Sequence, residues 1–490
     1  MKIRLPRSIL ASGWTFAGYG AGQVLRLASN LILARLLLPE AFGVMALIAI
    51  LMQGLQMFSD VGIGPSIIRE KKIDNPAFFN TAWTIQVMRG VMLWLCASSV
   101  AVPFARFYGE PQLSILIPVS SFSAVLTALN STAIFVENRS LRLKRLVILE
   151  TSTQIVGVLV MVTWAFIEPT VWALVAGGLV SSAFKALFSH LYLPGPKNWF
   201  QFDRAVAKEM LHFGKWIFLG SVLAFLSGQL ERLIVGKLVS IEILGIYNIG
   251  WMWAQTPRQV FSHWSARVFF PLASDKFRSG DAESIAKILI YRRKFLYISV
   301  PLFAGLITQL PNLIDLLYLP VFGAAGTIAA IAMVGVWIII LGQMYGSILL
   351  AQGQPKPMTI GTGLTIVAFL SLVSYSYETW GINGIAAAIS ISWLAYYIPC
   401  VIAAYRIGVS NFVGDFFATS ALAVVVVLFR IGGDSILTLT NSRILELLTV
   451  LAGSTILASA IAGILLLPIR NRKIETQKFN SAVPNVSGEN

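Results

Sequence analysis

Fourteen apolar stretches, each long enough to cross a bilayer as a helix, decide most of what this chain is able to fold into. Crossing about 30 Å of hydrocarbon takes about 20 helical residues at about 1.5 Å each. Stretches of that kind lie near 11–38, 41–67, 81–103, 113–137, 146–167, 170–192, 210–238 and 243–270. Six more lie near 294–312, 326–350, 358–377, 384–405, 413–431 and 443–467. The runs are continuous rather than alternating, which favours helices over a membrane barrel. Apolar residues make up 57% of the chain and charged ones 12%, where soluble domains carry about 25% charged residues. That balance excludes a soluble enzyme, a disordered chain and a disulfide-stapled secreted domain. The expected class is an all-α polytopic membrane protein with about 14 transmembrane helices.

The net charge of +15 reads as membrane orientation, not as nucleic-acid binding, because the basic residues cluster between apolar runs. With fourteen spans both termini share one side. On that side fall Lys2, Arg4 and Arg7; Arg69, Lys71 and Lys72; Arg139, Arg142, Lys144 and Arg145; and Lys197, Arg204 and Lys208. The same side takes Lys276, Arg278, Lys287, Arg292, Arg293 and Lys294, then Lys356, Arg406, Arg470, Arg472, Lys473 and Lys478. The opposite loops hold Arg106 and Arg443. Positive charge concentrates on the cytoplasmic side, so both termini are expected there. No cleavable signal peptide is expected, since Lys2, Arg4 and Arg7 lead into a segment that carries Arg26 and Arg35. Cys96 and Cys400 both lie in apolar segments with no metal or redox spacing.

An internal repeat divides the chain. Shifted by 202 residues without gaps, Trp14 aligns with Trp216, Phe16 with Phe218, Gly18 with Gly220 and Leu31 with Leu233. Ile32 aligns with Ile234, Leu36 with Leu238, Glu40 with Glu242 and Gly43 with Gly245, and the next span adds Gln53 and Gln255. An even number of spans separates the copies, so the repeat is parallel, with a site expected between two six-helix bundles near the midplane. The expected organisation is an N-terminal lobe over 1–192, a cytoplasmic linker over 193–209 and a C-terminal lobe over 210–405. Two additional spans over 406–467 and a cytoplasmic tail over 468–490 complete it.

The runs ARLLLPEAFGVMAL (34–47) and DVGIGPSIIREKKI (60–73) resemble the N-terminal signature of bacterial polysaccharide transporters. These are the oligosaccharide flippases of the multidrug/oligosaccharidyl-lipid/polysaccharide exporter superfamily, and the likeness is strongest to colanic-acid and succinoglycan-type exopolysaccharide transporters. The motifs cover about the first 75 residues. The resemblance implies two lobes around a central cavity, alternating access, and export of undecaprenyl-diphosphate-linked repeat units. It also implies a polysaccharide polymerase and a chain-length regulator as working partners.

The residues inside the spans support an independent reading. A charge at mid-bilayer costs at least about 2.5–3.5 kcal/mol and persists mainly where it faces protein or water. The first span carries Ser12, Tyr19, Gln23, Arg26 and Asn30 on one face. The second carries Gln53, Gln56 and Asp60, the eighth Gln255, Arg258 and Ser262. The third adds Gln86 and Arg89, the seventh Gln229 and Arg232. Such stripes either line a hydrated cavity or hold the bundle together by interhelical hydrogen bonds. Arg26, Arg89, Arg232 and Arg258 face few acidic partners within the spans, Asp60, Glu150 and Glu231, so the expected cavity is cationic and suits a diphosphate. Trp251 and Trp253 either stack on sugars or face lipid, and Pro257 is expected to break its helix. Asp60, Glu150 and Glu231 are the candidates for coupling to a proton or sodium gradient, because no nucleotide-binding fingerprint is present.

His190, His212 and His263 lie near cytoplasmic ends, and no metal or catalytic constellation appears; no cofactor, no enzyme activity and no nucleic-acid partner are expected. The competing readings are an ion-coupled multidrug or metabolite antiporter, a membrane glycosyltransferase or polymerase, and a non-transporting scaffold of a polysaccharide-synthesis complex. The arginines argue against cationic cargo. The short external loops argue against a polymerase.

Overall fold

The computed structural model describes residues 7–59, 76–140, 142–204, 206–207, 225, 228–279, 282–440 and 442–466. No strand occurs among them. At hydrocarbon depth a backbone must close its own hydrogen bonds, and these apolar sequences do so as helices. In the first half they are α1 (Arg7–Leu36), α2 (Pro39–Phe58), α3 (Pro76–Tyr108), α4 (Leu113–Ala128), α5 (Ala133–Arg139), α6 (Leu143–Ile167), α7 (Trp172–Tyr192) and α8 (228–238). The second half has α9 (Ile241–Trp264), continued through a π-helical turn (Ser265–Phe269) into α10 (Phe270–Ser279). It then has α11 (Ala282–Leu317), α12 (Ala324–Ala351), α13 (Lys356–Arg406), α14 (Phe412–Thr440) and α15 (Arg443–Leu466).

Nine described helices are long and apolar enough to cross a membrane. The pair α4 and α5 makes a tenth, bent by 59°. The 51-residue α13 is two arms that turn at Gly381, whose φ of 57° is left-handed and open to glycine without strain. Counting those arms separately and adding α1, α8 and α9, which are polar or only partly described, recovers the fourteen spans. The bend between α4 and α5 falls at Asn130, Ser131 and Thr132, whose side chains compete for backbone partners. Two expectations need correction. Pro257 does not break its helix: α9 runs through it, and the irregular turn comes later, at Ser265–Phe269. The stretch between the spans expected at 243–270 and 294–312 is helical in its described residues, formed by α10 and the start of α11.

The chain divides into two compact units, Met1–Gly245 and Ile246–Asn490. In the first, α1 packs on α6, α6 on α7, α7 on α4, α4 on α3, and α2 on α3 and α4. The described part of the linker after α7 is pinned to this unit. The Asn198 amide donates to Thr132 Oγ1 at 2.8 Å, and its oxygen accepts from Thr132 N at 3.0 Å. Asn80 accepts from Trp199 N at 3.1 Å and donates to Gln201 Oε1 at 3.0 Å. Thr84 and Thr81 accept from the backbone of Gln201 and Asp203 at 3.1 and 3.0 Å. Pro194 and Pro196 end the helix, and these side chains then satisfy the freed backbone.

In the second unit α12 packs on α11 and α13, while α14 and α15 pack on α11 and on each other. Its deepest polar feature lies where a cytoplasmic loop charge was expected. Arg292 is fully buried inside α11 and grips Asp415 of α14 with both prongs, Nη2 to Oδ2 at 3.0 Å. The hydroxyls of Tyr345 (α12) and Tyr397 (α13) each donate to Asp415 Oδ2 at 2.8 Å. The guanidinium lies 4.0 Å from the Tyr345 ring centroid. One ion pair thus joins four helices.

Removing one partner of a buried, hydrogen-bonded ion pair costs about 3–5 kcal/mol, because the other charge is left without compensation. Arg292→Ala is expected to lower the membrane level of the protein and the thermal midpoint of the detergent-purified chain. Arg292→Met combined with Asp415→Leu is expected to recover most of both. Scanning thermal unfolding of the two variants checks this.

Candidate functional site

On α1, Arg26 Nη2 donates to Gln23 Oε1. The guanidinium is exposed, and Ser29 Oγ donates to the Arg26 carbonyl at 3.0 Å. Asn30 and Gln23 are half-buried on the same helix. The side chains of Ser12 and Tyr19 lie outside the described ones. Helix α6 meets this region through Gln154, which donates to the Gly22 carbonyl at 3.1 Å. Glu150, one turn earlier on α6, is exposed.

On α2, Gln53 is exposed and accepts from the amide of Gln229 (α8) at 2.9 Å. Gln56 is exposed, and Asp60 lies outside the described residues. On α8, Glu231 is 8% exposed. Arg232 is half-buried, and its Nε is buried without a hydrogen-bond partner among the described residues.

The two candidates on α3 are engaged with helix ends. Arg89 donates to the Gln56 carbonyl at 2.7 Å and to Ser59 Oγ at 2.9 Å, closing the C-terminus of α2. Gln86 donates to the carbonyls of Ala128 and Asn130 at 2.7 and 3.2 Å, closing the C-terminus of α4. The last carbonyls of a helix have no partner within it and carry the negative end of its dipole, so donors are favoured there.

In the second unit, Arg258 Nη1 meets Gln255 Oε1 at 3.5 Å and its guanidinium lies 5.4 Å from the Trp393 ring centroid. Trp251 is 6% exposed, stacked on Tyr247 at 5.8 Å and tilted against Trp393 at 5.9 Å. Its faces are taken by protein rings. Trp253 donates from Nε1 to the Tyr318 hydroxyl at 2.9 Å.

The structure therefore brings Gln23 to Arg26, Gln53 to Gln229 and Gln255 to Arg258, and spends Gln86 and Arg89 on helix ends. A short motif runs through all of these: each of Arg26, Arg89, Arg232 and Arg258 follows a glutamine by three residues. That spacing stacks the two side chains on one helix face. The Arg292–Asp415 pair has no such local signature. A cavity of about 500 Å³ lies along α6, lined by Leu159, Val160, Thr163, Trp164, Ile167 and Glu168, and contains none of the expected binding residues. Among the described residues no group of His, Cys, Asp and Glu is placed to hold a metal ion.

Solved structures share the fold. A lipid II flippase MurJ in its inward closed conformation superposes with a TM-score of 0.69 over 93% of this chain and 98% of its own, at 13% identity. An inward-facing multidrug resistance MATE family transporter gives 0.61 over 82% of this chain and 95% of its own, also at 13% identity. Among proteins similar in sequence, the lipopolysaccharide biosynthesis protein WzxC of Escherichia coli K12 is 24% identical over 50% of each chain. The succinoglycan biosynthesis transport protein ExoT of Rhizobium meliloti is 23% identical over 56% of each. The teichuronic acid biosynthesis protein TuaB of Bacillus subtilis is 21% identical over 76% of this chain and 78% of its own. The chain spans about half the length of the first two of these relatives. Residues 32–322 match the family described as polysaccharide biosynthesis protein, which is more than half of the chain. With its succession of apolar helices, the chain is a multi-pass membrane protein and belongs to the polysaccharide biosynthesis protein family.

Proposed function

We propose that the protein is a flippase that moves polyprenyl-diphosphate-linked oligosaccharide units across the bacterial inner membrane by alternating access. The observation that carries this reading is the buried Nε of Arg232, a cationic donor with no acceptor among the described residues, in a member of a polysaccharide biosynthesis family. An unmet donor costs about 1–3 kcal/mol, and more when charged. A phosphate oxygen supplies what such a donor lacks, and planar guanidinium forks match phosphates in two-pronged geometry. Arg26, exposed on α1 with Gln23 beside it, is the second contact in this reading. Arg89, engaged at the end of α2, serves the scaffold. Asp60, Glu150 and Glu231 are the proposed carriers of a coupling ion. A polymerase and a chain-length regulator are the proposed working partners.

The orientation belongs to the same proposal: the basic loops and both termini face the cytoplasm. A C-terminal reporter active only in the periplasm is expected to stay dark, and a bright signal would remove one span from the topology.

Arg26→Ala is expected to reduce polysaccharide export tenfold or more, from the loss of about 1.5–3 kcal/mol of charge-assisted bonding. The amount of membrane-embedded protein is expected to stay near normal. Arg232→Ala should behave alike, while Arg26→Lys keeps the charge without the fork and loses export partly. The ratio of exported glycan to membrane-embedded protein is the measurement. Abundant Arg26→Ala protein that exports at the wild-type rate would refute the diphosphate role.

A further inference from the structure

The chain leaves α7 through Pro194 and Pro196 and then runs along the start of α3 with its backbone tied down. The N–H groups of alternate residues, Trp199, Gln201 and Asp203, donate to the side-chain oxygens of Asn80, Thr84 and Thr81 at 3.1, 3.1 and 3.0 Å. These acceptors make a buried polar strip on α3. On its other side the segment is tied to Thr132 through Asn198. A backbone held at every second residue fixes where its side chains go. Three rings in a row of four residues go outward: Trp199 is 69% exposed, Phe200 71% and Phe202 54%. Phe200 lies 4.8 Å from the ring of Trp83, which is itself buried.

The tie to α3 also sets the depth of the rings. The third apolar run begins near residue 81, so a segment bonded to residues 80–84 stands where that span passes from headgroups into hydrocarbon. Aromatic residues gather at that level, with apolar neighbours on the ring faces and polar ones at the edge. The chain arrives from α7, whose last turns carry Leu187 and Leu191, one turn apart, on an exposed face of a spanning helix. Lys197 and Arg204, both exposed, bracket the rings. The acid between them, Asp203, is half-buried, and its Oδ1 accepts from Val206 N at 3.3 Å. Lys197, Asp203 and Arg204 together carry one net positive charge. Fixed rings at the edge of a span with cations beside them complement an anionic lipid surface. A soluble partner would need the rings held clear of the headgroups, and the bonds to residues 80–84 keep them at the edge of the span.

We propose that the 197–204 segment is a binding site for anionic phospholipid in the leaflet on the side of the basic loops. Trp199, Phe200 and Phe202 seat at the boundary between headgroups and acyl chains, and Lys197 and Arg204 take the headgroup phosphates. The hydrogen bonds to Asn80, Thr81, Thr84 and Thr132 then fix α3 and the bend between α4 and α5 at the depth of that leaflet. The site needs no cargo and stands independently of the flippase reading.

The test uses the full chain with Cys96 and Cys400 replaced by alanine and Phe202→Cys carrying an environment-sensitive fluorophore. The protein is placed in liposomes of phosphatidylcholine mixed with phosphatidylglycerol. Quenching by lipids with a nitroxide near the headgroup reads contact with the leaflet; quenching by iodide on both faces reads contact with water. Leu191→Cys, on the exposed face of α7, is the reference. Lipid quenching at position 202 is expected to match the reference, and iodide quenching to fall several-fold below that of the free fluorophore. Nitroxide carried on phosphatidylglycerol is expected to be favoured over nitroxide on phosphatidylcholine about fivefold, the factor for one net positive charge at such a surface. Lys197→Gln with Arg204→Gln is expected to abolish that preference. A label that iodide quenches as it does the free fluorophore, with no lipid quenching, would overturn the site; if native membranes then shielded the same label, a protein partner would be what covers the rings. Equal quenching by the two lipids in the parent chain would overturn the anionic assignment. Should Phe202→Cys fail to accumulate, Trp199→Cys carries the label through the same measurements.

Discussion

A polar group taken out of water must find its partner inside the protein, and this constraint orders the whole molecule. It makes every described span a helix, because the backbone has no other way to satisfy itself in hydrocarbon. It also sorts the polar side chains by the partner each one finds. Arg292 meets a carboxylate and becomes the tie among α11, α12, α13 and α14. Gln86 and Arg89 meet the carbonyls that α4 and α2 leave open at their ends. Arg26 and Arg258 meet a glutamine one turn back on their own helices. The residues that hold the fold and those proposed to meet cargo are the same types, distinguished by what lies opposite.

The internal repeat has a physical consequence as well as an evolutionary reading. Within the first unit Gly43 lies against the Ile241 carbonyl and Gly245 against the Pro39 carbonyl, so a glycine at the matching place in each turn sets how closely the two backbones approach. The same duplication puts Glu40 and Glu242 at equivalent places, one with a buried carboxylate oxygen and the other exposed.

Much of this was legible in the residues alone. Apolar runs of bilayer length fix the helices. The glutamines at 53 and 229 were picked out as members of two separate polar stripes, and the structure bonds them to each other. Three things were not legible. Arg292 stands beside Arg293 and Lys294, a pattern that reads as a solvated loop, and its partner lies 123 residues away. Gln86 and Arg89 read as cavity lining because sequence does not show that two neighbouring helices end opposite them. Trp251 has the look of a sugar platform until its faces are seen to be covered by Tyr247 and Trp393. In each case the missing information is a long-range neighbour.

The central claim, movement of a polyprenyl-diphosphate oligosaccharide from one leaflet to the other, is tested most directly with purified protein in liposomes. A lipid-linked oligosaccharide carrying a fluorophore on its sugar is placed in both leaflets, and a membrane-impermeant quencher reports how much remains outside over time. The account predicts that liposomes holding the protein expose the inner pool to the quencher on the timescale of transport, while protein-free liposomes keep it hidden. Equal quenching in the two preparations, with the protein shown to be folded, would contradict it.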